Sequence, residues 1–168
     1  MPDFLAQPSR PLLPGDPVAG FDCGIEELNR YLHRFAWVNQ QASAAMNYVA
    51  IRDRIIAGYF SLAAGAIQHG DSPDRLKKGL ARHPIPVLLL ARLAVDRRFQ
   101  GVGIGGQLVR DAARRALTVA GIAGIRALVV DAKDERAQKF YERFNFQPLP
   151  AYPLRLFVLT KDLQAIAG

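Results

Sequence analysis

Residues 93–108 read Leu-Ala-Val-Asp-Arg-Arg-Phe-Gln-Gly-Val-Gly-Ile-Gly-Gly-Gln-Leu and predict an apolar strand, a basic turn, a glycine loop and the start of a helix. Four glycines lie within six positions, at 101, 103, 105 and 106. Because glycine has no Cβ, the backbone N–H groups of such a loop can approach a ligand closely. The first N–H groups of the following helix are unpaired and carry the positive end of its dipole. The stretch therefore predicts a site for a phosphate or pyrophosphate.

Four interpretations of this loop can be compared. A nucleotide P-loop needs Lys and then Ser or Thr after its last glycine, whereas Gln107 follows Gly106, so it is excluded. A dinucleotide loop fits the glycine spacing but belongs to the first strand–helix unit, and this strand begins only at residue 87. A glycine-rich turn without a ligand is the third interpretation. In the fourth, residues 100–105 resemble the Gln/Arg-x-x-Gly-x-Gly/Ala loop that holds the coenzyme A pyrophosphate in GNAT (GCN5-related) N-acetyltransferases.

The whole chain limits the classes of protein to consider. Its 168 residues, half of them hydrophobic, predict one domain, 1–168, with a real core. No apolar run reaches the roughly 18 residues that cross a membrane, and Met1–Asp3 does not begin a signal peptide. The single cysteine, Cys23, excludes an internal disulfide and suits a reducing cytoplasm. The three histidines are far apart, so we expect no metal site.

Positive charge is concentrated in the middle of the chain. The formal net charge is +7, and residues 75–115 hold ten Lys or Arg against two acids, Asp96 and Asp111. A solvated face with residues for the coenzyme phosphates explains this pattern as well as a face for a polyanion such as RNA does.

Periodicity gives the remaining elements. A helix is expected to open at Asp22, with its carboxylate as cap, and to bury a face made of Ile25, Leu28, Leu32, Phe35 and Ala36. Residues 47–51 and 55–62 predict a hairpin that turns at 52–54. In the connection 63–86, Ser72 as cap and Pro73 at the first helical position predict a short helix to about residue 81.

The second half alternates strands and helices. Residues 87–95 predict a buried strand that Arg92 interrupts, and 104–120 predict a helix packed through Leu108 and the alanines at 112, 116 and 120. A strand at 127–130 precedes a helix that begins at the acids after Asp131. Ala137, Phe140, Tyr141 and Phe144 share one face of that helix, and Asn145 suits its left-handed end. Residues 154–160 predict a closing strand.

The loop at 100–105, followed by Phe140-Tyr141-x-x-Phe144-x-Phe146, resembles the GNAT family over nearly the whole chain. Asn145 stands where the family motif has glycine. The resemblance implies an α/β (α+β) GNAT fold, a central mixed, mostly antiparallel splayed sheet flanked by helices. It also implies acetyl-CoA as co-substrate and no metal.

A narrower resemblance is to the tRNA-acetylating toxins. It is carried by Phe21-Asp22-Cys23-Gly24 followed by Leu28-x-x-Tyr31-Leu32, and by Ile56-x-Gly58-Tyr59-x-Ser61-Leu62, Ala91-Arg92-Leu93-Ala94-Val95-Asp96 and Asp134-Glu135-Arg136-Ala137. It implies acetylation of the amino group of an aminoacyl-tRNA, which blocks translation. It further implies a small ribbon-helix-helix antitoxin and a homodimer in the cytoplasm.

The resemblance also implies roles for particular residues. The coenzyme is expected to contact Leu93, Ala94, Val95, Gln100, Gly101, Val102, Gly103, Ile104, Gly105, Gly106, Asp131 and Phe140. Tyr141 is expected to protonate the leaving thiolate. No general base is evident among Glu26, Glu27 and Asp96, and an α-amino group, with a pKa of about 7.7–8.0, can do without one. The expected ligands of tRNA phosphates are Arg75, Lys77, Lys78 and Arg92.

Two other functions fit the same residues. A GNAT enzyme for a small-molecule amine or a protein N-terminus would share the fold, the coenzyme and Tyr141. A non-catalytic domain that binds coenzyme A would bind acetyl-CoA without turnover on any acceptor.

Overall fold

The computed structural model describes residues 6–168 and contains seven strands in one sheet. The strands are β1 (Arg10–Pro11), β2 (Met46–Arg52), β3 (Ile55–Ile67), β4 (Ile85–Val95), β5 (Ala127–Asp131), β6 (Gln147–Leu149) and β7 (Tyr152–Leu159). Their order is β1-β2-β3-β4-β5-β7-β6. The β4–β5 pair is parallel, whereas β1–β2, β2–β3, β5–β7 and β6–β7 are antiparallel. The predicted mixed, mostly antiparallel sheet is confirmed.

Helical segments connect these strands. They are α1 (Glu26–Arg30), a π-helix (Tyr31–Phe35), α2 (Ala36–Gln41), α3 (Asp74–Lys77), α4 (Ile104–Ala120), α5 (Glu135–Glu142) and α6 (Leu163–Ala167). Short 3₁₀ turns occupy Val18–Gly20, His69–Asp71, Arg97–Phe99 and Thr160–Asp162. The residues behind the expectation of no signal peptide, Met1–Asp3, lie outside the described part of the chain.

The chain divides into two compact units. The first contains residues 6–63 and Ala91–Asp111, and the second contains Ala64–Leu90 and Ala112–Gly168. Strands β3 and β4 and helix α4 contribute residues to both units. That the chain acts as a single domain stays a prediction.

The first unit is built on the β2–β3 hairpin. Asp53 and Arg54 have φ of 52° and 64°, so both central residues of the turn are left-handed, as in the turns that match strand twist. An apolar cluster around Phe21 and Tyr59 packs against the hairpin. Asn47 is fully buried and satisfied: its Oδ1 accepts from Tyr31 Oη at 2.9 Å and from Ser61 Oγ at 2.6 Å. This network fixes the helical segment to the sheet.

The second unit contains β5 between β4 and β7. Residues Leu88–Leu90 of β4 pair with Leu128–Val130 of β5, and both runs are apolar, as expected for a central strand pair. A core cluster that includes Leu76, Val129 and Phe157 fills this unit. The strand predicted at 154–160 is β7, and the short β6 pairs with it.

The first predicted helix is wrong in two details. It begins at Glu26 rather than at Asp22, and its N-cap position, held by Ile25, has no side-chain cap. The Asp22 carboxylate instead accepts from Gly24 N at 2.8 Å and Asn29 Nδ2 at 2.9 Å, which orders the preceding loop. Phe35 is 49% exposed rather than buried, because the π-helix adds a residue to the turn and shifts the following side chains around the axis.

The helix predicted from Ser72 is also shifted. Helix α3 begins at Asp74 with Pro73 in the N-cap position, and it ends at Lys77 rather than near residue 81. Ser72 Oγ donates to Gln68 O at 3.0 Å and does not cap the helix. Gly79, with φ of 78°, turns the chain away shortly after the last helical residue.

Candidate active site

The glycine loop connects the 3₁₀ turn at Arg97–Phe99 to helix α4. Gly101 and Gly103 have φ of 80° and 97°, which residues with a Cβ rarely adopt, so these two glycines determine the path of the loop. Helix α4 begins at Ile104 as predicted, and its first hydrogen bond to the loop joins Gln107 N to Gly103 O at 3.2 Å. The N–H groups of the first helical turn have no partner within the helix. The exposed loop and this helix start can therefore receive an anion.

Asp96 organises the basic turn before the loop. Its side chain is 1% exposed and accepts from Arg98 N at 2.9 Å, Arg98 Nε at 2.8 Å, Arg98 Nη2 at 2.9 Å and Asp22 N at 3.1 Å. Burial alone would raise the pKa of Asp96, but the hydrogen bonds from Arg98 and Asp22 outweigh burial and lower it. An ionised carboxylate with four donors is a structural anchor and a poor general base.

The side chain of Gln100 hydrogen-bonds to the backbone of the protein itself. Its Nε2 donates to Val95 O at 2.8 Å and to Cys23 O at 3.0 Å, so it ties the loop to the end of β4. Along that strand Ala94 is buried, whereas Leu93 and Val95 are half-buried. Alternation along the strand places Leu93 and Val95 on the face opposite to Ala94.

Tyr141 lies in the second unit on α5. Its ring is 7% exposed and contacts Phe140 and Phe146, with centroid distances of 5.1 and 5.5 Å. No described residue hydrogen-bonds its hydroxyl, and the hydroxyl oxygen is not completely buried. Burial raises the pKa of Tyr141 far above its ordinary value. The phenol is therefore protonated at neutral pH, which a proton donor requires.

Helix α5 is fixed at both ends as the sequence predicts. Asp134 is its N-cap and accepts from Ala137 N at 2.8 Å, and Asn145 follows with φ of 66°. Asp131, at the end of β5, forms a bidentate pair with Arg155 at 2.7 and 2.9 Å. Both residues line a cavity of about 510 Å³ with Tyr152 and Leu154.

The basic candidates fall into two groups. Arg75 and Lys78 line a cavity of about 290 Å³ in the second unit, together with Arg126 and Lys161. Arg75 also donates to Gln147 Oε1 at 2.6 Å. Lys77 Nζ lies 4.0 Å from the carboxylate of Asp74, its neighbour on α3.

Arg126 and Lys161 are absent from the sequence prediction. Arg126 precedes β5 and Lys161 follows β7, and only the pairing of those strands brings them together. Arg126 donates to Leu76 O at 2.9 Å and Lys78 O at 3.1 Å, so it also caps the end of α3.

Arg92 belongs to the first unit. Its Cζ lies 3.6 Å from the centroid of the Tyr31 ring, a close cation–π contact. Within the described part of the chain, no carboxylate pairs with it and no acceptor takes its N–H groups. An arginine that interrupts a buried strand must reach an acid, water or a ligand. Because no described acid pairs with Arg92, water or a ligand must accept its N–H groups.

Residues 6–168 contain neither a candidate metal cluster nor a candidate membrane-spanning helix. No cluster of three His, Cys, Asp or Glu side chains could hold a metal ion. No helix there has the length and apolar character that crossing a membrane requires.

Comparison with known proteins assigns the family. A family model described as an acetyltransferase (GNAT) domain matches residues 44–148, a range that contains the glycine loop and Tyr141. The chain belongs to the GNAT acetyltransferases. It is 39% identical over 153 residues to a tRNA-acetylating toxin of Mycobacterium tuberculosis, which covers 91% of this chain and 92% of that protein.

Solved structures agree with this GNAT assignment. AtaT complexed with acetyl-methionyl-tRNAfMet superposes with a TM-score of 0.86 at 29% identity, over 95% of this chain and 98% of that one. A mutant AtaT toxin bound to the C-terminus of the antitoxin AtaR and to acetyl-CoA gives a TM-score of 0.80 at 29% identity, over 94% and 96% of the two chains. The predicted GNAT fold is confirmed.

Proposed function

We propose that this GNAT acetyltransferase transfers the acetyl group of acetyl-CoA to the α-amino group of an aminoacyl-tRNA and so acts as a toxin that blocks translation. The observation that carries the proposal is the 39% identity to a tRNA-acetylating toxin over 91% of the chain. The likeness to AtaT complexed with an acetylated aminoacyl-tRNA supports the same acceptor.

The chain offers a place for each part of acetyl-CoA. The backbone amides of residues 101–106, in the order Gly-Val-Gly-Ile-Gly-Gly, receive the pyrophosphate at the start of α4. Main-chain groups of Leu93 and Val95 bind the pantetheine arm, and Ala94 holds the strand in the core. Gln100 serves by fixing the loop, because its amide is committed to Val95 and Cys23. Asp131, paired with Arg155, and Phe140 are the second unit's candidates for coenzyme contact.

The reaction is a direct acyl transfer. The neutral α-amino nitrogen attacks the thioester carbonyl carbon, an N–C bond forms and the C–S bond breaks. The nitrogen releases a proton to water, and Tyr141 donates its phenolic proton to the departing thiolate and regains one from solvent. An α-amino group, with a pKa of about 7.7–8.0, is partly neutral at pH 7, so no protein base is required. This agrees with Asp96, whose lowered pKa and four donors make it unsuitable as a base.

Replacing Tyr141 by Phe tests the assigned proton donor. We expect Tyr141→Phe to fold normally, because no described residue hydrogen-bonds the hydroxyl, and to lose 10²–10⁴-fold in kcat, about the contribution of a general acid. Transfer of label from acetyl-CoA to aminoacyl-tRNA measures kcat, and circular dichroism checks the fold. The control is Tyr48→Phe on β2 in the first unit, which removes the hydroxyl of a tyrosine whose ring stacks on Phe60. Turnover within twofold of the wild type would contradict the assignment.

The acceptor is tested by incubating the protein with labelled acetyl-CoA and a pool of charged tRNA. Label that stays with RNA supports the proposal, and sequencing the labelled tRNA identifies the acceptor. Label on free amines or protein N-termini alone would indicate the other GNAT function. Binding of acetyl-CoA without transfer would indicate a non-catalytic domain.

We also infer a homodimer in the cytoplasm that is neutralised by a small ribbon-helix-helix antitoxin. The complex of a mutant AtaT with the C-terminus of its antitoxin AtaR supports an antitoxin as the partner. Growth arrest on expression, relieved by an adjacent small gene, tests the pair. Sedimentation of the purified protein tests the dimer.

A further inference from the structure

The structure assigns a nucleotide-binding groove to the first unit, and we propose that it holds the unpaired 3′ end of the aminoacyl-tRNA. This inference rests on the proposed function, because it specifies how the same acceptor is recognised. The groove has a volume of about 380 Å³, within the roughly 300–1,000 Å³ of small-molecule sites, and lies between the first helical segment and strand β4. Its walls include Leu28, Tyr31, Phe35 and Arg92.

The first observation is a fixed set of stacked planar groups at the wall of the groove. The Tyr31 ring lies nearly parallel to the Tyr59 ring, with centroids 6.2 Å apart and planes at 18°. Hydrogen bonds fix both rings: Tyr31 Oη donates to Asn47 Oδ1 at 2.9 Å, and Tyr59 Oη donates to Leu28 O at 2.7 Å. The Cζ of Arg92 lies 3.6 Å from the centroid of the Tyr31 ring, and both residues line the groove.

The position of Arg92 suits a phosphate. Its guanidinium is held against the Tyr31 ring, and its N–H donors have no acceptors in the described part of the chain. An arginine held in this way loses little conformational entropy when it binds a phosphate through two parallel hydrogen bonds. Arg30 also lines the groove and adds positive charge.

The second observation is the π-helix. Such segments are rare and are found frequently at functional sites. Here the extra residue turns Phe35 outward, 49% exposed, at the wall of the groove, while Tyr31 and Leu32 on the same segment stay buried. An exposed ring that shares a groove with an arginine whose N–H groups lack a described acceptor matches an unstacked nucleotide, whose base stacks on the aromatic ring and whose phosphate binds the guanidinium.

The position on β4 links this groove to the acetyl group. Arg92 is adjacent in sequence to Leu93, which belongs to the proposed pantetheine strand, so both ligands use one strand. An acceptor bound at Arg92 through its terminal nucleotide would carry its aminoacyl ester close to that strand. A free amino acid lacks the base and phosphate that the groove recognises.

A binding assay tests the groove without relying on catalysis. The probe is a tRNA transcript with 2-aminopurine in place of its 3′-terminal adenine, whose fluorescence falls when the base stacks. We expect the wild type to quench it, Phe35→Ala to abolish most of the quenching and Phe35→Trp to retain it. The control is Val38→Ala, an exposed apolar residue on α2 outside the groove. Equal quenching by wild type and Phe35→Ala would overturn the proposal.

Kinetics provide the second readout. Phe35→Ala should raise KM for aminoacyl-tRNA about tenfold, the effect of one lost stacking contact, and should raise KM for amino acid methyl esters much less, because these lack the base. Arg92→Lys keeps the charge but loses the planar guanidinium. It should therefore also raise KM for aminoacyl-tRNA more than KM for the methyl esters. Equal losses on both acceptors would overturn the groove as a nucleotide site. Quenching without any tRNA acetylation would instead contradict the proposed function and leave the groove standing.

Discussion

At the scale of single residues, Asp96 shows how one buried charge positions the coenzyme loop. Its carboxylate accepts hydrogen bonds from the backbone and side chain of Arg98 and from the backbone of Asp22, residues that are 2 and 74 positions away in sequence. The loop therefore leaves β4 in a fixed direction before its first glycine. An acid within an Arg-Arg turn would ordinarily be expected at the surface, yet this side chain is 1% exposed.

Asp96→Asn should lower the free energy of unfolding at pH 7 by about 2–3 kcal/mol, because an amide cannot accept all the charged donors. The folded pKa of Asp96 is lowered, so its stabilisation is complete above the unfolded value of about 3.9 and is lost as the pH falls through the folded value. Urea unfolding between pH 7 and pH 2 should show a constant difference from wild type that shrinks only below about pH 4.

The control for this change is Asp53→Asn, at an exposed left-handed position of the hairpin turn where Asn is well accommodated. It should leave stability nearly unchanged at every pH. A difference between Asp96→Asn and wild type that persists undiminished at pH 2 would contradict the electrostatic explanation.

The sequence predicts some site residues well because their signals are local. The glycine spacing predicts the loop, and the left-handed Gly101 and Gly103 confirm its geometry. The side-chain partners of Gln100 and the cavity position of Arg126 depend on strands distant in sequence, so no local pattern reveals them. The catalytic and binding roles of these residues stay predictions.

At the scale of elements, predictions succeed where local signals and packing agree. Helix α4 spans Ile104–Ala120 as predicted, between the glycine loop and Gly121. The first helix differs because the Tyr31–Asn47 hydrogen bond and the packing of Tyr59 act on it from the sheet. A π-helix this short leaves no distinct hydrophobic period in the sequence. Regular α-helical spacing is therefore expected, and it places Phe35 on the buried face. Strand β6, three residues long, exists through its pairing with β7 and was not predicted.

Gly58 tests the packing of β3 within the first unit. An added Cβ would lie 2.8 Å from Leu108 Cδ1 and 3.0 Å from Ala94 O, and both neighbours are buried. We expect Gly58→Ala to lower the free energy of unfolding by about 1–3 kcal/mol, the usual effect of overpacking. Urea denaturation measures it as a lower midpoint at unchanged slope.

Gly15→Ala is the matched control, because nothing lies within 4 Å of the added atom there. Its stability should equal that of the wild type or exceed it slightly, since alanine restricts the unfolded chain. If Gly58→Ala were as stable as Gly15→Ala, the overpacking explanation would be wrong. The buried Leu108 on helix α4 would then have moved aside without a loss of stability.

At the scale of the whole molecule, the net charge of +7 is divided between structural and available cations. Arg10, Arg98 and Arg155 pair closely with Asp16, Asp96 and Asp131, so they contribute to folding. Lys78 and Lys161 line the cavity that also contains Arg75 and Arg126, and neither lysine has an acidic partner among the described residues. The composition predicts the excess charge but not this division, which depends on tertiary contacts.

The salt dependence of RNA binding separates these two kinds of cation. Each cation that neutralises a phosphate contributes roughly 0.7–0.9 to the slope of log affinity against log salt concentration. If the cavity contacts tRNA, Lys78→Gln and Lys161→Gln should each reduce that slope by about one contact, and the double variant by about two. Lys133→Gln is the control, because its charge already lies 3.7 Å from Asp134. Filter binding between 50 and 300 mM KCl gives the slopes. Equal slopes for the wild type and all four variants would place the RNA contacts elsewhere, leaving the Arg92 groove as the charged site to examine.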